Sequence, residues 1–389
     1  MIKGFNFAAT PDVHFGIDKR NLIPSIVKGY GNRVLLVTGA SAFTSSPHAQ
    51  EMHDAFSANQ LQVTHVVIDR EPSPAMIDEA VSKCVDIPNV VLAVGGGSVL
   101  DAGKAVSAML RLREPVKHYL EGVGTKSHPG IKVPFVAVST TSGTGSEATK
   151  NAVLSETGRD GFKKSLRHNN FVPDVAILDP ELTLSCPPHI TASSGMDAFT
   201  QLLESYVSTA ANPITDALAL EGLKRISTSL RLAYRDGSNI DTRSDMAMAS
   251  YFSGVTLANA GLGLVHGFAS ALGGYFDIAH GVICSSLMSA ANRRTVEKLR
   301  VEKTNPEALR KFAVVGKIFS KENHKTKAYY VDFLLEEIAS LKNDLKIPTL
   351  SACGVEEKHF EKILSASDNK NNPIKLSLDE MRAVLKESL

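Results

Sequence analysis

Tryptophan is absent from the 389 residues, and cysteine occurs only four times, at Cys84, Cys186, Cys284 and Cys353, never as a C-x-x-C pair. That spacing excludes a disulfide framework and a structural zinc knot, and leaves four reduced thiols. No uninterrupted apolar run reaches the ~18 residues of a membrane span. The opening MIKGFNFAATPDVHFGID has no continuous apolar segment of the kind that directs secretion. A membrane partner is therefore not expected, and cytoplasmic residence is. Blocks of like charge are missing too: 42 Lys and Arg stand against 41 Asp and Glu, scattered, for a formal charge of +1. Nucleic acid is not an expected partner, and a small molecule is.

What the chain does contain is an ordinary soluble composition, 43% hydrophobic and 21% charged, long enough for two domains or one large α/β unit. RVLLVTG (33–39), VTHVVID (63–69), VVLAVGGG (90–97), VPFVAVS (133–139) and VAILD (175–179) read as strands. They are continuous apolar runs, as expected when both faces of a sheet are covered. Segments 48–59, 74–84 and 98–112 read as the helices between them, so the alternation predicts a doubly wound parallel sheet. Past Pro180, Pro187 and Pro188 the pattern becomes helical, over 194–208, 213–234, 242–259, 263–275, 281–292, 306–318, 325–342, 355–366 and 377–388. The expected division is residues 1–185, a dinucleotide-binding α/β domain, and 186–389, an all-α metal and substrate domain.

Three features carry chemistry. The strand at 90–94 runs into GGGSVLDAGK, where glycines at a strand-to-helix junction let backbone N–H groups approach a phosphate. Ser98 and Asp101, three apart at the helix start, also suit a capping box. The polar loop STTSGTGSEAT (139–149) follows another strand at the edge where open α/β sheets bind ligands. In GMDAFTQLLES, Asp197 and Gln201 lie one helical turn apart and share a face. His266 and His280 precede glycines on two further segments, separated if Gly273–Gly274 breaks the helix, and can join Asp197. One carboxylate and two imidazoles suit Zn²⁺ or Fe²⁺ with positions left open.

Together GGGSVLDAGK, TTSGTGSEAT, PDVAILDPEL, GMDAFTQLLES, NPITDALALEGL, GLVHGFASALGG and AHGVICSSL resemble, in order, the signature segments of the iron-containing, group III alcohol dehydrogenases. The resemblance runs from about residue 5 to the C-terminus. It implies a Rossmann-like domain followed by a helical domain, with NAD(P) and a divalent metal between them. It places the metal on Asp197, Gln201, His266 and His280, where Gln201 stands in the position of a family histidine. Ser270 occupies the position of another cleft histidine. The implied cofactor contacts are Gly95, Gly96, Gly97, Ser98 and Asp101 at the pyrophosphate loop, with Thr140, Thr141, Thr144 and Ser146 along the adenosine and diphosphate. Lys163 falls near the nicotinamide ribose. Thr38, Gly39 and Ser41 follow the first predicted strand, where NAD-preferring relatives carry a carboxylate, which leans toward NADP.

The expected activity is NAD(P)-dependent, metal-assisted hydride transfer between a small primary alcohol and its aldehyde, with Asp197, His266 and His280 as catalytic residues. Asn151, Phe252 and Leu257 are candidate pocket residues, and a homodimer or larger homo-oligomer is expected. Two alternatives remain: a metal-independent reductase of an activated carbonyl, like maleylacetate reductases, and a catalytically inactive nucleotide-binding relative.

Overall fold

A computed structural model describes residues 4–158 and 161–389. Among the described residues eight strands come first: β1 Asp12–Phe15, β2 Arg33–Gly39, β3 Gln62–Ile68, β4 Val90–Gly95, β5 Phe135–Ser139, β6 Asn151–Glu156, β7 Phe162–Arg167 and β8 Val175–Leu178. Six form one parallel sheet in the order β1-β8-β5-β4-β2-β3, while β6 and β7 pair antiparallel as a separate ribbon. Four helices lie among them: α1 Ile23–Tyr30, α2 Pro47–Ala58, α3 Pro74–Lys83 and α4 Gly97–Met109.

Alternation along the strands explains their unbroken apolar sequences. Val34, Leu36, Val90, Leu92 and Val94 pack with Ile23 and Val27 of α1 and Met52 and Phe56 of α2. Leu35, Val37, Val91 and Ala93 pack on the other face with Ile77 of α3 and Leu100 of α4. Both faces are covered, so every position is apolar. The ribbon β6–β7 and the short β1 are additions to the predicted strands. FKKSLR in β7 carries its apolar residues too sparsely to register as a strand, yet Ala152, Leu154 and Leu166 cover α4 from outside.

From Pro188 onward the chain is helical: α5 Pro188–Val207, α6 Pro213–Arg235, α7 Ile240–Ala260, α8 Leu264–Tyr275, α9 His280–Glu302, α10 Pro306–Ser320, α11 Lys327–Asp344, α12 Phe360–Ser365 and α13 Leu378–Ser388. Helix α5 is buried almost throughout, at the centre of a core shared with α6, α7, α9, α10 and α11. Gly273–Gly274 does not break α8, which runs on to Tyr275. Those glycines admit β7 instead: a Cβ on Gly273 would stand 2.8 Å from Lys163 Cδ. The break falls at 276–279. Among the described residues no single helix is long and apolar enough to cross a membrane, and α7 and α8, an apolar pair, are bent by 98°.

Candidate active site

The strand order reverses between β2 and β4, and ligands bind open α/β sheets in the crevice beyond such a switch point. Here β4 ends at Gly95 and α4 begins at Gly97, with Gly96 as its N-cap. Glycine at 97 is required by a close approach: a Cβ there would lie 2.5 Å from Thr144 Cγ2 of the second polar loop. Ser98 and Asp101 do not form the expected capping box. Asp101 instead accepts from the Ser146 hydroxyl at 2.8 Å and the Val153 N–H at 3.0 Å. Buried Lys104 adds three bonds of 2.8 Å, to Ser146 O, Thr149 Oγ1 and Asn151 O, and burial pulls its pKa down to about 8. Two side chains of α4 thus hold the loop over the helix's own N-terminus, where unpaired N–H groups and the dipole favour an anion.

Glu147 lies buried in this loop, and burial pushes its carboxyl from 4.5 up to about 7. Between those values the folded chain keeps a proton that the unfolded chain has released. Stability therefore falls as pH rises through that window, by up to ~1.4 kcal/mol per pH unit. Glu147→Gln cannot ionise, so its urea midpoint is expected to match the wild type near pH 4.5 and exceed it at pH 8. A difference unchanged between the two pH values would remove Glu147 from this titration.

Across the crevice, α5 presents Asp197, Gln201 and Glu204 on one buried face. Glu204 reaches α8, where Oε1 accepts the Val265 N–H at 2.7 Å and Oε2 lies 2.7 Å from His266 Nδ1. One carboxylate therefore caps α8 and sets the His266 ring, turning Nε2 toward Asp197 Oδ1 at 3.4 Å. The first residue of α9 is His280, whose Nε2 lies 3.8 Å from the same oxygen. The donor atoms of Asp197, His266, His280 and Cys284 all fall within 4.8 Å of one another. Asp197 Oδ1 is buried without a hydrogen-bond partner, a costly state that a cation would relieve. Desolvation pushes the Asp197 carboxyl up, but the imidazoles of His280 and His266 outweigh it and hold it below its ordinary value. Burial pushes His280 down to about 4, so it is neutral near pH 7. Burial also raises the Cys284 thiol to about 12.

Gln201 sits beside this cluster. Its Nε2 donates to Asp197 Oδ2 at 3.0 Å and its Oε1 accepts from Ser253 Oγ at 2.7 Å. The structure thus gives the amide a bracing contact with Asp197. A carboxylate behind a histidine ligand raises its basicity and fixes its tautomer. Glu204→Gln is accordingly expected to weaken metal binding by ~10–100-fold, read by competition with a chromogenic chelator, with the fold retained. Unchanged affinity would make Glu204 a helix cap only.

A cleft of about 540 Å³ joins the two halves. Gly97, Ser98, Asp101, Thr144, Ser146 and Lys163 line it from the sheet side, and Gln201, His266 and His280 from the helical side. Gly95, Gly96, Thr140 and Thr141 brace the wall behind: the Thr140 N–H donates to Gly95 O at 3.0 Å, and Thr141 packs over Gly96. Thr38 lines a second cavity, with its hydroxyl 2.8 Å from His65 Nε2, while Gly39 ends β2 and Ser41 follows it. Asn151 and Leu257 line the cleft. Phe252 does not, because it packs on the helical core. Ser270 also lines the cleft, and its hydroxyl donates to the His266 carbonyl at 3.1 Å.

Three site residues were missed in the sequence. Glu204 falls seven residues after Asp197 and Cys284 four after His280, so helical spacing alone placed both on the right faces. Glu71, which accepts from Lys163 Nζ at 2.6 Å, follows β3 and carries no such signal.

A parallel nucleotide-type sheet facing a helical domain across a cleft, with a buried carboxylate and imidazoles at its floor, is the architecture of a nucleotide-dependent oxidoreductase. The sequence matches the families described as iron-containing alcohol dehydrogenase over residues 10–180 and Fe-containing alcohol dehydrogenase, C-terminal, over 191–389. Alcohol dehydrogenase 4 of Schizosaccharomyces pombe is 34% identical over 307 residues, covering 77% of this chain and 68% of that protein. The NAD-dependent methanol dehydrogenase of Bacillus methanolicus is 38% identical over 222 residues, 56% of each. A crystal structure of 1,3-propanediol oxidoreductase superposes with a TM-score of 0.88 at 27% identity, covering 100% of both chains. The chain belongs to the iron-containing alcohol dehydrogenase family and is an alcohol dehydrogenase-type oxidoreductase.

Proposed function

We propose that the protein catalyses reversible, metal-assisted hydride transfer between a small primary alcohol and its aldehyde, using NAD(P). The observation that carries this reading is the buried, unpartnered Asp197 Oδ1 facing the Nε2 atoms of His266 and His280 beside the cofactor loop. In this reading Asp197, His266 and His280 hold the metal, with Gln201 bracing Asp197. The N-terminus of α4, with Gly97 and Ser98, receives the pyrophosphate, and the loop from Thr140 to Ser146 walls the cofactor. Lys163, fixed by Glu71, faces the ribose from β7. When bound, the cation supplies Lewis-acid polarisation of the substrate oxygen and the nicotinamide accepts or returns the hydride.

Ser270 donates to a backbone carbonyl and is a weak base, and His280 is taken up by the metal in this reading, so the alcohol proton leaves through solvent in the cleft. Small primary alcohols are named for the methanol and propanediol relatives. The cleft volume is in the range of ordinary small-molecule sites. NAD is named for the Bacillus methanolicus relative. At the end of β2, Gly39 sets no carboxylate against a ribose 2′-phosphate, which favours NADP here. A panel of short alcohols and aldehydes, run with both cofactors on stripped protein reconstituted with Fe²⁺ or Zn²⁺, tests the reading. Turnover of short primary alcohols, with higher kcat/KM for NADP, is expected. Cofactor binding with no turnover on the whole panel would contradict it.

A further inference from the structure

We infer that Cys284 is the fourth protein donor of the metal site, and that the site is consequently thiolate-bearing and takes Zn²⁺ in preference to Fe²⁺. This rests on the metal-assisted reading above and changes its donor set.

The argument is geometric. Four donors ~2.0–2.3 Å from a shared centre, at tetrahedral angles, stand ~3.3–3.8 Å from one another. Asp197 Oδ1 is 3.4 Å from His266 Nε2 and 3.8 Å from His280 Nε2. Cys284 Sγ is 3.6 Å from each of those same nitrogens. These four of the six edges have tetrahedral length, all six lie within 4.8 Å, and each atom is one a cation would use.

The rest of the surroundings agree. Asp197 is 1% exposed, and its Oδ1 is aimed into the cluster without a hydrogen-bond partner. His266 has its other nitrogen on Glu204, which leaves Nε2 to ligate. Gln201 does not compete for this corner, because its oxygen is taken by Ser253 and its nitrogen by Asp197. Cys284 lies one turn beyond His280 on α9, so the same helix delivers an imidazole and a sulfur to one point.

A thiolate is a soft donor. In a tetrahedral site that also has two imidazoles it favours Zn²⁺, and Co²⁺ as its stand-in, over Fe²⁺. Binding breaks the S–H bond, forms a metal–sulfur bond and releases one proton to solvent, with no change of oxidation state. His266 and His280 line the cleft, while Asp197 and Cys284 stand behind them. With four protein donors the substrate oxygen would enter from the cleft as a fifth donor, the expansion that catalytic zinc sites make.

The test uses full-length protein, stripped and reloaded. Wild type carrying Co²⁺ is expected to show a near-ultraviolet thiolate-to-cobalt charge-transfer band. Cys284→Ser should lose that band and bind Zn²⁺ ~100-fold more weakly or worse, beyond the cost of losing a partner behind the ligands. Cys353→Ser should keep both. X-ray absorption on zinc-loaded wild type needs no variant, and should find one sulfur at ~2.3 Å among nitrogen and oxygen neighbours. Stoichiometric metal with no sulfur in its shell and no charge-transfer band would overturn this inference while leaving the metal-assisted reading intact. Wild type that takes up no metal under any loading would overturn both.

Discussion

His266→Ala should remove bound metal and lower kcat/KM by at least ~10³-fold, the equivalent of ~4 kcal/mol of lost transition-state stabilisation. The size follows from what His266 links. Its Nε2 faces Asp197 and Cys284, and its Nδ1 meets Glu204. Removing the ring deletes a donor and also leaves a Glu204 oxygen buried without its partner, which costs about 1–3 kcal/mol of stability. The protein should still fold, because Glu204 Oε1 continues to accept the Val265 N–H and cap α8. It should also still change NAD(P)H fluorescence on binding, since the loop proposed to hold the cofactor belongs to the sheet half. Metal content and activity equal to wild type would show that His266 is a core histidine.

Gly97→Val should do the reverse. A Cβ at 97 would meet Thr144 Cγ2 at 2.5 Å and Oγ1 at 2.7 Å, so the two loops must part. Overpacking of this kind costs about 1–3 kcal/mol in stability. The larger effect is expected on binding, because parting the loops moves the α4 N-terminus, the pyrophosphate seat of the proposed function. Affinity for NAD(P)H should fall by ~100-fold or more, about 2.8 kcal/mol. Metal content should stay at the wild-type level. Fluorescence titration and elemental analysis on both variants thus separate the two halves of the cleft. Unchanged cofactor affinity in Gly97→Val would move the pyrophosphate elsewhere.

The sheet was legible because α/β strands buried on both faces must be apolar at every position, and Val34 to Val37 and Val90 to Val94 are. Helices of the second half were legible by period, although α9 runs ten residues past its expected end. Its charged tail, Arg293–Glu302, buries only Thr295, Val296 and Leu299. The ribbon β6–β7 was not legible. It is stabilised by covering α4 and receiving α8, contacts that no local pattern in FKKSLR announces.

In the site, Asp197, His266 and His280 stood out because charged or titratable residues in apolar helices are rarely accidental. Gln201 shares their face, yet the direction of its amide is set by tertiary partners that helical spacing does not reveal. Its neighbour Ser253 is 52 residues away and takes the oxygen. Cys284 looked like a small buried hydrophobe, which is what most buried cysteines are. Its four-residue offset from His280 gains meaning only once α5 and α8 bring Asp197 and His266 to the same point.

Metal content and turnover followed together are the most direct test of the central claim. Wild-type protein is stripped with a chelator, then titrated with divalent metal while bound ion and alcohol oxidation are measured on the same samples. The account predicts that activity rises in proportion to bound metal and levels off at one ion per chain. Full turnover in protein that carries no metal would contradict it.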